Sequence, residues 1–96
     1  MHSVGEPRGL LLAAAIEATE AAALSEQGIE VRSFERLPSL SELAGAGLEL
    51  RKAHPRARLL VSGPVKLVRQ FERGYPALID VPLTDTRPET VLAALS

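Results

Sequence analysis

The residues that could do chemistry are few, and their spacing says little for catalysis. The chain has two histidines, His2 and His54, and no cysteine. His2 sits at the terminus, and His54 precedes a proline in a basic stretch that repels a cation. Neither has a second histidine at the spacing a helical metal site uses. Ser62 is a candidate nucleophile only beside a base, and none is indicated. Asp80 and Asp85 flank an apolar run without a visible carboxylate partner, and Thr86 reads as a helix cap. The chain is therefore expected to be non-enzymatic, with no catalytic residue, metal or cofactor. Two features remain. Ser62-Gly63-Pro64 forms a strand-to-helix turn, either a plain tight turn or a place for an anion against free N–H groups. Lys66, Arg69 and Arg73 fall at i, i+3, i+7 on one helix face. That stripe is either a solvated face or a patch for a partner or an anion.

The elements that must position these residues are short. Ninety-six residues with a 46% hydrophobic fraction imply a single domain over 1–96. Two Phe, one Tyr and no Trp make its core aliphatic and leave almost no surface for stacking bases. The absence of cysteine excludes disulfides and suits a cytoplasmic protein. The net charge of −1 argues against nucleic acid. That charge is segregated: residues 1–50 are mainly acidic, 51–73 mainly basic. Such polarity suits pairing between copies of the chain, or an anion on the basic part. The apolar run starting at Leu10 is too short for a membrane span, and Glu17 and Glu20 interrupt it, which also argues against a signal peptide.

Residues 3–6 suggest a short strand. Alanine-rich 10–27 predicts a helix that Gly28 stops, and alternation over 29–36 predicts a half-buried strand. Ser39-Leu40-Ser41-Glu42 is a capping box, opening either a helix to Lys52, weakened by Gly45 and Gly47, or two short turns. Residues 57–62 read as a strand buried on both faces. Pro64–Arg73 reads as an amphipathic helix with Leu67, Val68 and Phe71 inward. Residues 77–83 read as a strand whose end Pro82 makes an edge or an exit, and Thr86–Glu89 as a second capping box before a short final helix. The fold class is α/β, of α+β sandwich type: a three- to four-stranded sheet, two core helices, a short C-terminal helix and a helical insertion over 38–56.

Three segments resemble bacterial microcompartment shell domains: Glu6-Pro7-Arg8-Gly9, the alanine-rich Ala15–Ala22 leading to Gly28-Ile29-Glu30-Val31, and Val61–Arg69. The tail, Ile79–Pro82 with Val91–Leu95, is similar to that family's last strand and final helix. The resemblance implies a structural protein that self-assembles into a closed ring, a hexamer or pentamer, and that meets other shell or cargo proteins inside a cytoplasmic microcompartment. It also implies that the turn after the second strand lines an axial pore, which here is Leu37, Pro38, Ser39 and Leu40. The family's short pore hairpin is replaced by Leu37–Ala57. The alternative is a small regulatory or carrier-type α/β module that binds a partner or anion through Lys66, Arg69 and Arg73. Residues 59–76 are loosely similar to sugar phosphotransferase component B domains, although the histidine those need near the first strand is not visible.

Overall fold

The computed structural model describes residues 7–83 and 85–95. The expected strand at 3–6 lies outside them. The order is β1 (Gly9–Ala13), α1 (Ala18–Glu26), β2 (Ile29–Arg32), α2 (Leu40–Ala53), β3 (Leu59–Ser62), α3 (Val65–Gly74), β4 (Val81–Leu83) and α4 (Pro88–Ala94). The four strands form one sheet in the order β2-β1-β3-β4, and every neighbouring pair is parallel. The α/β class is as the sequence implied.

The first correction concerns β1. Leu10, Leu11 and Leu12 are the central strand and not the start of a long helix, and α1 begins only at Ala18. All five residues of β1 are buried. Leu10, Leu12 and Ala14 face a core shared with α2 and α3, together with Leu59, Val61, Val68 and Phe71. Leu11 and Ala13 face the opposite core, with Leu24, Leu60, Leu83 and Val91. A strand covered on both faces has no reason to alternate apolar with polar, so its sequence reads as a continuous apolar run. Each leucine fully buried there contributes about 1.5–3 kcal/mol.

The layering follows from strand order and handedness. β1 to β2 moves one way across the sheet; β2 to β3 passes back over β1, and β3 to β4 continues that way. Parallel crossovers are right-handed, so reversing direction puts α1 on one face and α2 and α3 on the other. α4 returns to pack with α1. The second correction follows. Residues 38–56 are not an insertion but the crossover that a parallel sheet requires. Leu43, Ala44, Ala46 and Leu50 of α2 are core residues.

Several local expectations hold. The Ser39 hydroxyl accepts the Glu42 N–H at 3.2 Å, and the Glu42 carboxylate accepts the Ser39 N–H at 2.9 Å. These bonds, the backbone one foremost, hold the Glu42 carboxyl below its ordinary range. Gly28 ends the α1 turn with φ of 84°, a conformation that favours glycine. In α3, Val68 and Phe71 are buried and Leu67 is half-buried against the same cluster. The last strand is shorter than expected. Only 81–83 pair with β3 as a strand; before it the Leu78 N–H turns back to the Tyr75 carbonyl, and the Leu59 N–H goes to the Asp80 carboxylate instead of a backbone carbonyl. Leu78 and Ile79 still pack on the core, from a turn.

Candidate functional site

In an open parallel sheet the natural binding place is the carboxyl edge, where adjacent strands send their connections in opposite directions. Here that point lies between β1 and β3: the chain leaves β1 toward β2 and leaves β3 toward β4. A crevice of about 370 Å³ opens there. Ala15 lines it from the loop after β1 and Glu20 from α1. Ser62, Gly63 and Pro64 come from the end of β3, and Asp85, Thr86 and Arg87 from the loop before α4.

The backbone sets its floor. The Ala14 N–H donates to the Ser62 carbonyl at 2.8 Å, extending the β1–β3 ladder to the crevice. A Cβ placed on Gly63 would come 2.7 Å from the Cβ of Ala14, so only glycine lets the two loops approach this closely. Ser62 is 1% exposed, and its hydroxyl donates to the Asp85 carbonyl at 3.1 Å. That bond ties β3 to the loop before α4 and gives Ser62 a structural partner instead of a base. Across the mouth, the Thr86 hydroxyl donates to Glu20 Oε1 at 2.6 Å. This corrects the expected second capping box: the residue flanking α4 is Arg87, without a side-chain cap, and Thr86 instead bridges to α1. The Arg87 N–H donates to Asp85 Oδ1 at 3.2 Å, and its exposed guanidinium lies 3.8 Å from Asp85 Oδ2.

The crevice therefore holds two carboxylates, one guanidinium and a buried hydroxyl. Glu17 before α1 and Pro64 before α3 provide no side-chain cap, whereas the more distant α2 has its full capping box. Such a wall presents both acceptors and donors, which suits a small polar ligand. Among the described residues no group of three or more His, Cys, Asp or Glu is placed to hold a metal.

The residues singled out from sequence fall elsewhere. Lys66, Arg69 and Arg73 are all exposed on α3, as expected of a wet face. In the loop before α2, Leu37 is 63% exposed and Pro38 is buried. Ser39 caps α2, and Leu40 packs half-buried on the core. The four do not form one surface. His54 ends α2, half-buried, where its N–H bonds the Leu50 carbonyl. Of the crevice residues, the sequence singled out Ser62, Gly63, Pro64, Asp85 and Thr86; Glu20 and Arg87 carried no signal for this site, since only strand order brings them together. Comparison with family models, curated proteins and solved structures finds no match for this chain. No helix among the described residues is long and apolar enough to cross a membrane.

Proposed function

We propose that this chain is a small ligand-binding α/β module, of regulatory or carrier type, that holds a small polar molecule in the crevice between β1 and β3. The observation that carries this reading is the position of the crevice. It lies at the switch point of the sheet, and α1, the end of β3 and the loop before α4 each contribute polar groups to it. The Ser62 hydroxyl is already committed to a carbonyl. That supports binding over nucleophilic catalysis.

Thermal-shift and calorimetric titration against sugars, sugar phosphates, amino acids, carboxylic acids and nucleotides tests the reading. A ligand at a hundredfold excess over Kd stabilises the fold by about 2.7 kcal/mol, a readily measured rise in Tm. Ala15 is exposed in the crevice, so Ala15→Phe fills it and should abolish that rise. Failure of every class, or a rise that survives Ala15→Phe, overturns the crevice as the site.

A second reading keeps the structural role that the resemblance to microcompartment shell domains implies, a self-assembling subunit forming a closed ring. One observation favours self-association. The acidic helix α1 and the basic face of α3 lie on opposite faces of the sheet, so two copies can present opposite charges to each other. Light scattering tests it: a hexamer or pentamer supports the ring, and a monomer at every concentration and salt sinks it.

A further inference from the structure

The basic face of α3 borders a groove that no ligand-binding role uses. Val65, Val68, Arg69 and Glu72 of α3 form one wall, and Pro82 and Leu83 of β4 the other, around a volume of about 190 Å³. Its floor is apolar, and Val65 at its rim is 49% exposed. Arg69 lines it beside Glu72, Lys66 and Arg73 are exposed on the same helix, and none of these three bases makes an ion pair among the described residues. β4 is an edge strand, but Pro82 has no N–H to offer, which disfavours an added strand there and leaves a helix as the better occupant.

The chain carries a helix of matching character. α1 has no basic residue, and Glu17 before it and Glu26 at its end are exposed and likewise unpaired among the described residues. Its exposed surface is otherwise Ala18, Thr19, Ala22 and Ser25, small side chains that permit close approach. We infer that the groove between α3 and β4 takes α1 of a second copy of this chain, with Glu17 and Glu26 against Lys66, Arg69 and Arg73. Because α1 and α3 lie on opposite faces of the sheet, the contact is head-to-tail. It leaves a groove and an α1 unused at the two ends, so it propagates to a ring or a filament instead of closing as a twofold pair. The proposal rests on the self-association reading above and names its interface.

Sedimentation velocity from micromolar to millimolar protein, at low salt and near ~1 M salt where screening is almost complete, is the first measurement. The expected result is a mass above the 10.3 kDa of one chain that grows with concentration and falls back with salt. Arg69→Glu and Glu26→Arg should each raise the apparent dissociation constant at least tenfold, and an equimolar mixture of the two variants should associate again. Lys66→Glu with Glu17→Lys repeats the exchange on a second pair, and circular dichroism checks that each variant is folded. If the wild-type chain assembles but neither exchange weakens it, or the mixture stays apart, this interface is wrong while self-association stands. A wild-type monomer throughout overturns both.

Discussion

The Arg51 guanidinium donates to Asp80 Oδ2 at 2.9 Å, and the same oxygen accepts the Leu59 backbone N–H at 2.7 Å. Arg51 also donates to the carbonyls of Ala57 at 2.8 Å and Leu78 at 3.3 Å. One ion pair therefore fastens the end of α2, the start of β3 and the turn before β4. Arg51 reaches 6 residues along the chain to Ala57 and 27 to 29 residues to Leu78 and Asp80. Arg51 supplies the planar fork such a junction needs, so Arg51→Lys should not rescue it.

Asp80→Ala should cost about 1–2 kcal/mol, at or below the lower end of the range for hydrogen bonds to a charged group, because its side chain is 42% exposed. The effect should depend on pH. Partial burial pushes the Asp80 carboxyl up, but the Leu59 N–H and Arg51 outweigh it and leave it below its ordinary value. A depressed carboxyl stabilises the fold above its unfolded pKa, ~3.9, and loses that contribution as pH falls through the folded value. Urea midpoints of wild type and Asp80→Ala should differ at pH 7 and converge below about pH 4. A gap that persists at low pH would assign the cost to packing instead.

Phe71→Ala should destabilise the domain by about 3–5 kcal/mol, a large part of the ~5–15 kcal/mol typical of domains. Its ring is 0% exposed and stands 5.7 Å from that of Tyr75. A Cβ on Gly47 would lie 3.4 Å from its Cζ, so α2 approaches α3 closely at this point. Calorimetry should show a fall in Tm of many degrees. An unchanged melt would mean that α3 turns another face inward.

Removing 39–55 and joining the ends with a short glycine turn should unfold the protein. β2 and β3 both point toward the carboxyl edge. The chain must therefore return the length of the sheet between them, which a tight turn cannot do. The deletion also takes Leu43 and Leu50 from the core. Loss of the far-UV dichroism of the native fold is the expected readout; a folded product would contradict the parallel topology.

Thr86→Val keeps the side-chain shape and removes the donor to Glu20, leaving a half-buried carboxylate without it. The expected cost is about 0.5–1.5 kcal/mol by urea denaturation. Hydrogen exchange should quicken in α4, which this bond links to α1. If neither changes, the bridge contributes nothing measurable.

The sequence by itself determined what depends on near neighbours in the chain. The Ser39–Glu42 capping box needs only four residues, and the inward face of α3 only two turns; both appear as read. β3 was legible because 57–62 is too short for a helix and is bounded by proline and glycine. Tertiary structure decided the rest. Leu10–Leu12 continue into alanines without a break, so helix propensity claimed them. Only burial between two helical layers makes that run the central strand. The role of α2 could not be read either, because its partners on β1, β3 and α3 are set by strand order. The same holds for the crevice. Glu20 and Thr86 stand 66 residues apart and meet only because the connections from β1 and β3 diverge, a property of the sheet that no local stretch of sequence encodes.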